Sequence, residues 1–145
     1  MMVKFSWSKF RRGVFLVNCL AIVYNPKTGK ILIGKREKDP YVKKLSWTFP
    51  GGRPDYSKDL EHYLKLEVKK KTNLDIKIKR IIFARSLPEN RKFLLLYYLA
   101  EPINVGKEKA GEKFKEIKWI KPTDVKKFFT TSIHPEIMKI LRKLK

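Results

Sequence analysis

Glu67, Lys70 and Lys71 stand at i, i+3 and i+4 in the stretch LEVKKKTNLDI, so in a helix they project from one face. Their chemistry is mixed. A carboxylate offers hard oxygen donors to a divalent cation, whereas an ammonium has no lone pair to give and repels a metal ion nearby. Ammonium groups can instead contact phosphate oxygens as point charges. A second reading stands beside this one: Lys is a good helix former, and Glu67 then serves as counter-ion to Lys70 or Lys71 on a solvated helix surface. The N-terminal KFSWSKFRR carries another pattern, Lys4, Lys9, Arg11 and Arg12 interleaved with Phe5, Trp7 and Phe10. Aromatic stacking combined with basic side chains holds single-stranded nucleic acid without reading its sequence. The same aromatics would equally serve an edge strand or an arm docked on the domain or on a second subunit. His62 and His134 show no metal-ligand spacing and no paired nucleophile, and read as a helix-surface residue and a cap.

The composition limits what such residues can belong to. At 145 residues the chain fits one domain, 1–145, with an aromatic and basic arm over 1–12. With 43% hydrophobic residues it can bury a core, so global disorder is excluded despite 34% charged residues. The net charge of +21 attracts phosphates and opposes self-association, and it has two readings, a polyanion partner or a Lys-rich solvated surface. The single cysteine, Cys19, lies in the apolar run GVFLVNCLAIVY and reads as a small buried hydrophobe in a reducing interior. That run is too short to span a membrane, contains Asn18 and ends in the turn-like NPKTG. Basic residues precede it, but no small-residue cleavage site follows, so a cytoplasmic protein without a signal peptide is expected.

Several elements must position these residues. Residues 14–24 read as a buried strand, Asn25 to Gly29 as a turn, and 30–36 as the returning strand. Trp47-Thr48-Phe49 is a short extended piece stopped by Pro50-Gly51-Gly52. A helix starting from a Ser57 N-cap runs to about Thr72, with Asp59 in its first turn and Asn73 as a left-handed stop. Leu60, Leu64 and Val68 form its core stripe. Strands follow over 76–86 and 92–101, the second apolar almost throughout, as in a strand covered on both faces. Residues 104–113 are a loop and 114–120 a last strand. Thr123 caps a short helix, and Pro135 opens a final one whose apolar face is Ile137, Ile140, Leu141 and Leu144. The expected architecture is α/β (α+β), a central mixed sheet between helices.

In order, a hairpin ending ILIGKRE, then WTFPGG, a helix closing LEVKKKTNLDI, and a late EIKWI resemble the Nudix superfamily over nearly the whole chain. The family's box, laid on residues 52–74, puts its first Gly on Gly52 and its first Glu on Lys58. Its Arg falls on Leu66, its central Glu on Glu67, its paired Glu-Glu on Lys70 and Lys71, and its Gly on Asn73. Val68 and Leu74 match the apolar positions. The resemblance implies a Nudix-like α/β/α sandwich and hydrolysis of nucleoside diphosphate-linked substrates with Mg²⁺ or Mn²⁺. Of the box's charged positions only Glu67 keeps its carboxylate, so a metal held there would be weakly bound. The resemblance also implies roles for single residues. Glu67 and Glu116 are the catalytic candidates, Glu116 as a loop carboxylate or general base and Glu112 as a weaker version of it. Arg36, Gly51, Gly52 and Arg53 would contact phosphate or nucleotide, joined by Lys58, Lys70 and Lys71 in an electropositive pocket. Asp55 follows the glycines, where a turn role is as natural.

The function expected from this is a Nudix-fold protein that binds a nucleotide or RNA with weak or no hydrolysis, and no resident cofactor. Lys4, Trp7, Lys9, Arg11 and Arg12 would add a nucleic-acid contact. Two alternatives differ in kind: a metal-dependent nucleotide pyrophosphatase working with a reduced site, and a structural assembly subunit. A nucleotide or single-stranded nucleic acid, RNA before DNA, is the expected partner. No membrane is expected, and a homodimer is left open.

Overall fold

The computed structural model describes residues 12–36, 39, 42 and 45–144. Lys4, Trp7, Lys9 and Arg11 lie outside the described residues, and Arg12 is exposed. Among the described residues there are seven strands and three α-helices. β1 (Leu16–Asn25) turns into β2 (Lys30–Lys35). Asn25 closes the turn, its side chain accepting from Lys27 N and its carbonyl from Gly29 N, with Gly29 at φ +71°. β1 also runs parallel to β6 (Asn90–Pro102), from Leu16 opposite Phe93 to Val23 opposite Ala100. β5 (Ile76–Leu87) pairs antiparallel on the far side of β6. β7 (Glu116–Ile120) pairs antiparallel along β2, from Ile31 opposite Ile120 to Lys35 opposite Glu116.

The hairpin is splayed. β1 and β2 pair only at Tyr24–Ile31 and Asn25–Lys30. Beyond that point β1 pairs with β4 (Gly51–Gly52), while β2 pairs with β3 (Trp47–Thr48). The stretch from Trp47 to Gly52 therefore bridges the opening between the two strands.

Alternation along β1 divides the core between two layers. Cys19, Ala21 and Val23 pack with Leu64 and Val68 of α1 (Leu60–Thr72). Ile22 and Tyr24 face the opposite layer, with Val125 of α2 (Val125–Phe128) and Ile137 and Leu141 of α3 (Pro135–Arg142). Burying Leu64 and Val68 fully is worth about 2 kcal/mol each. The result is the expected mixed sheet between helices. The Cys19 thiol is pushed up to about 11 by burial, as befits a small core residue.

Three local expectations are corrected. The N-cap of α1 is Asp59, whose Oδ1 accepts from His62 N at 2.8 Å, because Ser57 is already engaged by Asp55. Leu60, the first member of the apolar stripe, is 37% exposed, since α1 reaches the sheet only from Leu64 onward. Thr123 caps no helix: it lies inside the 3₁₀ turn Pro122–Asp124 that leads into α2 without a side-chain cap. The αL stop at Asn73 (φ 59°) and the opening of α3 at Pro135 are as expected, with His134 Nδ1 accepting from Glu136 N.

Candidate functional site

A cleft of about 670 Å³ opens beside the β3–β4 bridge. Its floor is apolar and aromatic, with Leu20, Phe49, Phe93, Leu95, Tyr97 and Phe129. One end carries the polar groups Arg36, Gly51, Gly52, Arg53, Glu67 and Lys71, joined by Glu112 and Lys113.

At that end the helix face splits in a way spacing alone could not foresee. Lys71 is 6% exposed, and its Nζ donates to the Gly51 carbonyl and lies 3.6 Å from Glu67 Oε2. Lys70 turns outward, yet its Nζ stays 3.6 Å from Glu67 Oε1. Both carboxylate oxygens therefore face ammonium groups. Burial lowers the Lys71 pKa from the ordinary lysine value. Glu67 opposes that shift, and Arg36 and Lys113 reinforce it by repulsion. The Tyr63 hydroxyl lies against the same carboxylate, and burial followed by the Glu67 charge raises its pKa well above the phenol range.

The two glycines are required by close approach. A Cβ on Gly51 would overlap the Cys19 carbonyl across the β1–β4 pair, and one on Gly52 would sit 3.2 Å from Glu67 Oε2 and 2.8 Å from the Tyr63 hydroxyl. Arg36 leaves the end of β2 with its backbone N bound to Ser46 O at 2.7 Å and Nη1 3.2 Å from Asp39 Oδ2. Its Nε is buried and has no hydrogen-bond acceptor among the described residues.

Glu112 and Lys113 arrive by a backbone route. The segment 109–112 closes the C-terminus of α1, with Lys109 N donating to Thr72 O, Gly111 N to Lys71 O and Glu112 N to Lys70 O. Gly111 must lack a side chain there, because a Cβ would overlap Lys70 O. Lys113 then takes φ +64°, a costly conformation for a side-chain-bearing residue. At the opposite end, Arg85 bonds the Tyr97 hydroxyl at 3.1 Å and Ser132 O at 2.9 Å, while Glu89 accepts from Ser132. This ties the segment before α3 over the cleft.

Of the sequence candidates, Arg36, Gly51, Gly52, Arg53, Glu67 and Lys71 come together in the cleft lining. Lys58, Lys70 and Glu116 are not part of it. Lys58 sits exposed in the turn before α1, and Glu116 is exposed at the start of β7 opposite Lys35. Glu112, the weaker carboxylate candidate, does line the cleft. Asp55 holds the turn through Ser57, and His62 is exposed on α1. Sequence reasoning missed Tyr63, Lys113 and Arg85. The i, i+4 spacing of Tyr63 with Glu67 was the one signal available.

The donor set does not fit a divalent metal. Among the described residues no three His, Cys, Asp or Glu side chains come together, and Glu67 is held between two ammoniums.

The splayed hairpin, the bridge over Gly51-Gly52 and the helix crossing it are the parts of a known domain. The NUDIX domain model matches residues 14–141, and the chain belongs to that family. Its fold is that of solved Nudix hydrolases. It resembles a NUDIX hydrolase from Nitrosomonas europaea at a TM-score of 0.74 and 19% identity, over 90% of this chain and 72% of that one. A MutT protein from Methanosarcina mazei gives 0.69 and 16%, over 90% and 94%. An ADP-ribose pyrophosphatase from Streptococcus suis gives 0.67 and 16%, over 87% and 88%. No curated protein matches by sequence. No helix among the described residues is long and apolar enough to cross a membrane.

Proposed function

We propose that this Nudix protein binds a nucleotide or single-stranded RNA by direct contact between cationic side chains and phosphate oxygens, and hydrolyses it weakly or not at all. The observation that carries this reading is the Lys71 ammonium, buried between the helix carboxylate Glu67 and the Gly51 carbonyl. Positive charge is thereby supplied at the head of the cleft by the chain itself. Arg36 and Lys113 bring further cations close enough to perturb Lys71. The Arg36 side chain lines the cleft and brings a guanidinium that suits an anionic oxygen. Phe129, half-buried at the cleft floor, offers a surface on which a base can stack. The net charge of +21 steers polyanions toward the protein.

Hydrolysis is disfavoured because the Glu67 oxygens are engaged by ammoniums rather than held ready for a metal-bound water. The competing metal-dependent hydrolase would have to recruit Glu112, which lines the cleft. Calorimetric titration with ADP, ADP-ribose and a short single-stranded RNA in EDTA, beside a turnover assay with Mg²⁺ or Mn²⁺, tests the proposal. Binding in EDTA that weakens with salt is the expected outcome. Deleting residues 1–12 should weaken the RNA arm and leave ADP unaffected. Metal-dependent turnover far above buffer, abolished by Glu67→Gln, would overturn the reading.

A further inference from the structure

The β3–β4 bridge and the end of α2 carry two aromatic pairs side by side. Phe49 meets Phe129 edge to face, 4.9 Å between ring centres, and both line the cleft. Trp47 meets Phe128 edge to face at 5.5 Å, and this pair lies outside the cleft lining. Phe128 and Phe129 are consecutive, while Trp47 and Phe49 stand two apart on extended chain, a step of roughly 7 Å along one face. The second pair therefore continues the aromatic floor outward from Phe129 to the surface.

The outer pair is not sealed into the core. Trp47 and Phe128 are half-buried, and the group over them is the exposed Lys118. Its Nζ lies 6.0 Å from the Trp47 ring centre and 5.3 Å from that of Phe128. Register puts it there. Lys118 stands opposite Ile33 on β2 and Trp47 opposite Lys35, so alternation turns Lys35, Trp47 and Lys118 to one side of the sheet. The chain joining Lys118 to Phe128 adds exposed Lys121, Lys126 and Lys127 against a single carboxylate, Asp124, which pairs with Lys127.

We propose that Trp47, Phe128 and Lys118 form a second base-stacking site, which takes the nucleotide next to the one held in the cleft. The ligand is then single-stranded RNA of at least two nucleotides rather than a free nucleotide. A base entering there replaces the Lys118 ammonium on the rings, and the flexible lysine swings out to a phosphate of the same strand. The charge suits this occupant, because the lysines beside the rings meet a backbone that is negative at every step. Stacking is tolerant of base identity, so the site adds affinity and a length preference without reading sequence. The inference rests on the proposed reading of the cleft for the place of the first nucleotide, while the outer site stands on its own residues.

The test is calorimetric titration in EDTA at low salt with ADP, AMP and a 5′-phosphorylated adenylate trimer. Wild type should bind the trimer at least about tenfold more tightly than AMP. Trp47→Leu should remove about that factor for the trimer and leave ADP and AMP unchanged, and Trp47→Phe should restore most of it. Lys118→Ala should weaken the trimer about threefold and lower its salt slope by about 0.7. Lys65→Ala removes the same charge from an exposed position on α1 and should leave both unchanged. Trimer binding that Trp47→Leu leaves intact overturns the proposal. So does an equal loss for ADP and trimer, or an equal effect of Lys65→Ala and Lys118→Ala. Should Trp47→Leu purify unfolded, the comparison of Lys118→Ala with Lys65→Ala decides, because both positions are exposed. ADP bound by wild type without a tighter trimer leaves the proposed function standing and sinks the second site. A trimer held through Trp47 with no binding of ADP does the reverse, and binding of neither ligand overturns both.

Discussion

Replacing Glu67 by Gln should destabilise the protein more than replacing Lys71 by Met, and the two changes together should cost less than their sum. Glu67→Gln removes the charge that compensates an ammonium 6% exposed, leaving it the Gly51 carbonyl and an amide. Breaking a buried pair from one side costs about 3–5 kcal/mol. The 3.6 Å separation is loose and Gln can still accept a hydrogen bond, so about 2–3 kcal/mol is expected here. Lys71→Met leaves Glu67 still paired with Lys70 at 3.6 Å, on a side chain 12% exposed, and should cost about 1 kcal/mol. With both groups neutral no charge is stranded, and the double variant should lie within about 1–2 kcal/mol of wild type, a coupling of about 2 kcal/mol. Urea unfolding at neutral pH measures this, and Glu67→Gln should move the midpoint down by about 1 M or more. The pH dependence carries a defined sign. Because burial lowers the folded pKa of Lys71 below 10.5, the unfolded chain holds that proton more tightly between the two values. Stability should therefore rise in wild type relative to Lys71→Met as pH climbs toward 10.5, and be lowest relative to it below the folded pKa. A Glu67→Gln variant within about 0.5 kcal/mol of wild type would refute the claim that Lys71 depends on this carboxylate.

Three further outcomes follow from geometry. Asp59→Ala should cost about 1 kcal/mol in chemical unfolding through loss of the α1 cap, and Ser57→Ala less, since Ser57 caps nothing. Gly111→Ala should cost about 2 kcal/mol by forcing the 109–112 segment off the carbonyls of α1, with weaker ADP binding in the same calorimetric titration. Lys113→Gly should relieve the φ +64° conformation and raise stability by up to about 1 kcal/mol, while lowering affinity for ADP about tenfold. A variant both less stable and equally tight would contradict the placement of Lys113.

Local rules in the chain determined a good deal of this protein. Asn25 and Gly29 mark the hairpin turn, Asn73 supplies the left-handed stop, and Pro135 opens the last helix, each because one residue type satisfies one backbone conformation. Helical spacing likewise puts Glu67, Lys70 and Lys71 on one face before any fold is known. Which lysine goes inside was beyond the reach of spacing. Lys71 is buried and Lys70 exposed because β4 brings the Gly51 carbonyl over one side of that face, a partner twenty positions away in the chain. Ser57 lost the cap to Asp59 because Asp55 had already taken it into a turn. Lys58 and Glu116 match the family's order yet lie outside the cleft, while Glu112 and Lys113 lie inside it. The segment that brings the latter pair docks through backbone hydrogen bonds to the end of α1, and main-chain bonds of that kind leave no mark on the side-chain sequence except the bare Gly111 that lets the chains meet.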